Sequence, residues 1–167
     1  MNILATSADP VNSALNLDDK SITSQIGEVA QIMSNAVNKM KEGNKRAPGM
    51  LKSKNPDHPW TQWACESRGN FVWLAQYGLA LDEVYKKIHE KSHHKTPIIK
   101  SAHIERMFIP HGERKTFVNH AKCTRRKVDL TYSPVLTAYR DFVNYCWHYD
   151  KGIPKWTGRT PPAWFAK

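Results

Sequence analysis

The chain has 167 residues, 40% of them hydrophobic and 24% charged, which suits one folded domain with its own core and excludes a disordered chain. Its longest apolar runs, such as residues 71–75, are far too short to span a bilayer. Lys and Arg number 25 against 15 Asp and Glu, a formal charge of +10, and an excess of that size points to a polyanionic partner, nucleic acid before any membrane surface.

In chain order, Asp9-Pro10 reads as an N-cap followed by proline at the first helical position, opening a short helix to about Leu17. Asp18-Asp19 then starts a long helix to about Lys41. Its apolar residues Ile22, Ile26, Val29, Met33, Ala36 and Met40 alternate by three and four, the spacing of one buried face. On the other side, Lys20, Ser24, Glu28, Gln31, Asn35 and Asn38 fall within roughly a quarter turn at ~100° per residue. That stripe is polar but lightly charged, which suits either the wall of a cleft or plain surface.

Residues 43–56 form a Gly- and Pro-containing loop with Lys45, Arg46, Lys52 and Lys54. Asp57-His58-Pro59 opens a second long helical region, carrying Trp60, Trp63, Phe71, Trp73, Leu74, Leu81 and Ile88, with Gly69 and Gly78 as candidate points for a kink or a break into two helices. Residues 86–100 are basic and histidine-rich and include Lys95. Thr96-Pro97 starts a further short helix through Phe108. Residues 111–129 are irregular and basic again, with Arg114, Lys115, Lys122, Arg125, Arg126 and Lys127. Ser133-Pro134 begins a final helix, and residues 151–167 form a proline- and tryptophan-bearing tail packed on the core. No repeat and no alternating strand pattern appears. The fold class expected is all-α: one domain over residues 1–167, a compact bundle of about five or six helices with irregular basic loops.

Chemistry-bearing residue types are densest in residues 58–70. On one helix Trp63, Ser67 and Asn70 share a face, where an indole can stack on a base while amide and hydroxyl groups read its edge. The same tryptophans can equally be core, with the polar groups capping local backbone. His89, His93, His94, His103, His111, His120 and Cys123 have no metal-ligand spacing, so neither a metal nor another cofactor is expected. No GxxxxGK[ST] phosphate loop is present. The three cysteines lack a CxxC spacing, and Met1-Asn2-Ile3-Leu4 has no secretory pattern, so a reduced intracellular setting is expected. The basic segments, residues 39–54, 86–100 and 114–127, lie in the joins between helices. Their separation argues against a single recognition helix, and their convergence would make a groove for a phosphate backbone.

The order Asp9-Pro10, Leu17-Asp18-Asp19-Lys20, Glu28-x-x-Gln31, His58-Pro59-x-x-x-Trp63, Ser67-Arg68-x-Asn70-Phe71-x-Trp73-Leu74, Phe117-Val118-Asn119, Ala138-Tyr139-Arg140 and Trp147-x-x-Asp150-Lys151-x-x-Pro154-x-Trp156 resembles a family of small helical bacteriophage proteins, the amino acid:DNA transferases of thymine hypermodification. The likeness spans nearly the whole chain, with Cys65 standing where a basic residue is usual. The resemblance implies a reaction in which a hydroxymethyluracil base of phage DNA, already pyrophosphorylated, exchanges its pyrophosphate for an amino acid such as glycine in the host cytoplasm. It implies Glu28, Asp19 or His58 as the group that takes the amine's proton. It also implies Lys20, Gln31, Trp63, Ser67, Arg68, Asn70, Asn119 and Lys151 as substrate-binding residues, with Lys20, Arg68 and Lys151 as candidate cations for the leaving group. Lys45, Arg46, Lys52, Lys54, Lys95, Arg114, Lys115, Arg125, Arg126 and Lys127 are the residues expected against DNA. Two other readings stay open: a non-catalytic nucleic-acid-binding phage protein and a base-excising DNA glycosylase.

Overall fold

The computed structural model describes residues 2–43, 45–123, 127–149 and 153–165. Among them are six α-helices, one short 3-10 helix and a two-residue antiparallel ladder, so the fold is all-α. The helices are α1 (Pro10–Leu15), α2 (Asp19–Glu42), α3 (Pro59–Glu66), α4 (Arg68–His89), α5 (Thr96–Ile104) and α6 (Val135–Tyr149). The 3-10 turn Glu105–Phe108 extends α5, and β1 (Lys122–Cys123) pairs with β2 (Val128–Asp129) in the register Lys122↔Asp129.

Three of the helices, α1, α3 and α4, begin at a side-chain cap. Asp9 accepts the Asn12 N–H (2.7 Å) at the start of α1, and His58 Nδ1 accepts the Trp60 N–H (3.2 Å) ahead of Pro59 in α3. The second helical region divides at Ser67, whose extended backbone (φ −156°, ψ 151°) ends α3 and whose hydroxyl caps α4 by accepting the Asn70 N–H. Gly69 and Gly78 both lie inside α4 and interrupt nothing. They serve close packing instead. A Cβ on Gly69 would stand 2.2 Å from the Arg114 nitrogen, where residues 110–114 cross the start of α4, and a Cβ on Gly78 would stand 2.8 Å from Val29 Cγ1 and 2.9 Å from Ile99 Cδ1.

α2 and α4 are the long central pair, packed on each other and flanked by α3 and α5, with α1 against α4. The predicted apolar face of α2 is in the core as far as Ala36, with Ile22, Ile26, Val29, Met33 and Ala36 all fully buried, whereas Met40 at its end is 37% exposed. Trp60, Trp63, Trp73, Tyr77 and Phe117 form an aromatic cluster beneath it. A second cluster, of Trp147, Trp156, Trp164 and Phe165, packs tail residues 153–165 on α6. The tail is also tied to the start of α2, because the Arg159 guanidinium donates to the carbonyls of Leu15 and Leu17 and to Asp19 (2.6 Å).

Candidate functional site

The polar stripe of α2 divides in two. Its C-terminal half is buried beneath residues 47–55, which run back along the helix from its Gly43 C-cap. Asn38 and Asn35 are fully buried and act as rungs. The Asn38 amide donates to the Leu51 carbonyl (2.8 Å) and accepts the Ala47 N–H (2.8 Å). Asn35 donates to the Lys54 carbonyl (2.9 Å) and accepts the Lys54 N–H (3.1 Å), and Gln31 donates to the Lys52 carbonyl (3.0 Å). Asparagine suits this task because its side chain presents a donor and an acceptor together and so pairs with another backbone.

The N-terminal half of the stripe remains open and lines two adjoining hollows. The first, of about 360 Å³, is lined by Ser24, Gly27, Glu28, Gln31, Lys54, Asn55 and Lys95. The second, of about 380 Å³, shares Ser24 and Glu28 and adds Asn2, His120, Lys122 and Phe142 among its walls. Glu28 is therefore common to both. Each of the three basic segments sends one lysine here: Lys54 from residues 39–54, Lys95 from 86–100 and Lys122 from 114–127. Among the described residues neither Lys54 nor Lys95 lies within ion-pairing distance of a carboxylate.

Backbone contacts fix these groups. Asn55 adopts a left-handed conformation (φ 53°) and turns the chain from the Lys54 rung into α3. The Lys95 N–H donates to His93 Nδ1 (3.2 Å), and its ammonium rests over Gly27, 3.2 Å from the point a Cβ would occupy there. Glu28 accepts the Asn2 N–H (3.2 Å). Asn2 ties the N-terminal segment to three others, since its side-chain amide donates to the His120 carbonyl (2.9 Å) and accepts from Trp60 Nε1 (3.0 Å), and its backbone carbonyl accepts from Gln25 (3.0 Å). Burial, reinforced by the Lys122 ammonium, holds the His120 imidazole below the ordinary histidine pKa, so it is neutral at pH 7.

The other proposed base candidates lie apart from the hollows. His58 is buried, edge-on to His120 at 4.9 Å between ring centres, and because its Nδ1 accepts a hydrogen bond its neutral ring carries the proton on Nε2. Asp19 binds the tail: its carboxylate accepts from the Thr157 N–H and hydroxyl and from Arg159. Lys20 is exposed one position further along α2.

The residues 58–70 expected to read a base are engaged in holding the fold. Trp63 is 3% exposed, with Trp60, Trp73 and Phe117 around its ring and its indole N–H donating to the Thr116 carbonyl (2.8 Å). Asn70 donates to the Trp63 carbonyl (2.6 Å) and accepts the Lys115 N–H (2.7 Å), and Ser67 donates to the Glu113 carbonyl (2.7 Å). The first N–H groups of α4, where an anion could have bound, are taken by the carbonyls of Pro110 and Gly112. Arg68 reaches the Ile109 carbonyl (3.5 Å). Asn119 bridges the carbonyls of Thr131 and Ser133.

Of the residues expected against DNA, Lys45, Arg46, Lys52 and Lys54 follow α2 along its covering loop and are exposed. Arg114, over the Phe117 ring at 4.7 Å, and Lys115, 3.8 Å from Glu66, lie at the other end of α3. Lys127 is exposed beside β2. Arg125, Arg126 and Lys151 fall outside the described residues. Asn2, Asn55 and Phe142 are among the lining residues that sequence patterns missed; none belongs to a motif, and only the folded chain brings them to Glu28. Among the described residues no His, Cys, Asp and Glu cluster could hold a metal ion, and no helix is long and apolar enough to cross a membrane. No family model, curated protein or solved structure matches the chain.

Proposed function

We propose that the chain is a phage DNA-modifying transferase, acting in the host cytoplasm, that replaces the pyrophosphate of a pyrophosphorylated hydroxymethyluracil base with an amino acid such as glycine. The observation that carries the reading is Glu28 between two hollows, each rimmed by lysine. The hollow of Gln31, Lys54, Asn55 and Lys95 takes the amino acid, its carboxylate held by the lysines and its amine turned to Glu28. The hollow of Asn2, His120, Lys122 and Phe142 takes the base drawn out of its stack, with Lys122 against the pyrophosphate and Phe142 as the apolar wall.

Glu28 takes a proton from the ammonium group, and the freed amine attacks the methylene carbon on the uracil ring. The C–N bond forms as the C–O bond breaks, and pyrophosphate leaves with the electron pair. Lysines beside the leaving oxygens stabilise the charge that develops there. The exposed row of Lys54, Lys52, Arg46 and Lys45 gives the flanking DNA backbone a path along α2.

The test is incubation with pyrophosphorylated hydroxymethyluracil DNA and isotopically labelled glycine, followed by mass spectrometry of the nucleosides. A labelled aminomethyl nucleoside is the expected product. A lost base would identify a glycosylase, and bound but unchanged DNA would identify a binding protein. Either result overturns the proposal.

A further inference from the structure

At the far end of α2 the surface changes character. Ile104 and Met107 are 72% and 71% exposed, and Phe108 and Met40 stand partly out of the core beside them. Lys100, Ile104 and Met107 follow one another at the four- and three-residue spacing of a helical ridge along α5 and its 3-10 extension, while Ile99 and Ala102 face inward. An apolar ridge of this prominence usually meets a partner.

The charge around it indicates which partner. Lys100 and Arg106 are exposed on the same segment. Lys41 stands 4.9 Å above the Phe108 ring and 3.0 Å from Glu105, which neutralises that carboxylate. The loop bearing Lys45 and Arg46 touches α5, since a Cβ on Gly49 would lie 3.8 Å from Ser101 Cβ. From there the exposed cations continue through Lys52 to Lys54 at the cleft. A second protein copy would bring a matching set of cations against this end, whereas a DNA duplex brings phosphates. Proteins that deform DNA use this combination: isoleucine, methionine or phenylalanine pushed between base steps with arginine and lysine on the adjoining phosphates.

We propose that Met107 and Ile104 form a wedge that enters a DNA duplex and unstacks it while the backbone follows the basic row to the cleft. The inference rests on the reading of DNA as the partner, and it assigns the chain a means of opening duplex substrate. Glu28 and Lys41 are 13 residues apart on α2, or about 20 Å, roughly six base steps. The wedge therefore bends and loosens the duplex at a distance from the base that reacts.

The experiment is binding to an unmodified duplex carrying 2-aminopurine, whose fluorescence rises on unstacking, with the wild type and the double variant Ile104→Ser, Met107→Ser. These side chains are exposed, so the variant folds. The expected result is a fluorescence rise with the wild type that the variant loses while it still binds. The variant should also keep its transfer activity on single-stranded pyrophosphorylated substrate and lose it on duplex. The wedge is refuted if the wild type gives no rise or the variant gives the same one. It is refuted equally if sedimentation shows the wild type pairing through this ridge and the variant monomeric. Because unstacking is read on unmodified DNA, a protein without transfer activity still reports on the wedge.

Discussion

Gly27 and Lys95 meet at the floor of the first hollow, and their contact separates stability from function. Glycine inside a helix lowers stability by about 0.5–1 kcal/mol relative to alanine. The atom a new Cβ would meet is the mobile end of the Lys95 side chain, at 3.2 Å. Gly27→Ala should therefore raise the melting temperature while pushing the ammonium off the floor and weakening amino acid use, seen as a higher KM for glycine. Unchanged KM in the stabilised variant would remove Lys95 from the amino acid site. Cys65, at the position where the resembling family usually has a basic residue, offers no substitute charge. Burial pushes its thiol up to about 11, against the lowering effect of Lys39, so it is a neutral thiol at pH 7.

At the scale of elements, α2 does three jobs. One face is core, and the polar stripe on the other side accepts the returning loop along its C-terminal half and lines the hollows along its N-terminal half. The crossing with α4 and α5 depends on Gly78, where any side chain would meet Val29 and Ile99. Gly78→Ala should lower stability by about 1–3 kcal/mol through overpacking, measured by denaturant midpoint; a neutral effect would mean that α5 moves aside freely. The apolar spacing of α2 and the caps at Asp9-Pro10 and His58-Pro59 made these helices legible in the sequence, because both are local properties. The break at Ser67 was less legible, since Gly69 and Gly78 are equally good signals until packing assigns them to close contacts. The stripe on α2 was visible as a stripe, but its division at Gln31 depends on where residues 47–55 return. Trp63 and Asn70 had the composition of a base-reading site and became core and scaffold, because the segment over residues 109–117 covers them. That cover is a tertiary contact, which no spacing within residues 58–70 reveals.

Over the whole molecule, positive charge and burial act together on histidine. His93, His103 and His120 are all held below the ordinary value, first by burial and then by neighbouring groups, His94 and Lys95 at His93, Arg106 at His103 and Lys122 at His120. A lowered folded value means that the unfolded chain takes up protons the native state refuses, beginning near its ordinary pKa of ~6.5. Stability should fall as pH drops through about 6.5, and a triple glutamine variant at these positions should show a flatter melting profile between pH 7 and 5. An equally steep profile in that variant would assign the acid sensitivity elsewhere. The proposed transfer stands on one carboxylate, and the most direct measurement is single-turnover glycine transfer by Glu28→Gln, with circular dichroism as the check on folding. A general base contributes typically about 10²- to 10⁴-fold, so the folded variant should lose transfer on that scale while still binding DNA. Full transfer by folded Glu28→Gln would contradict the account.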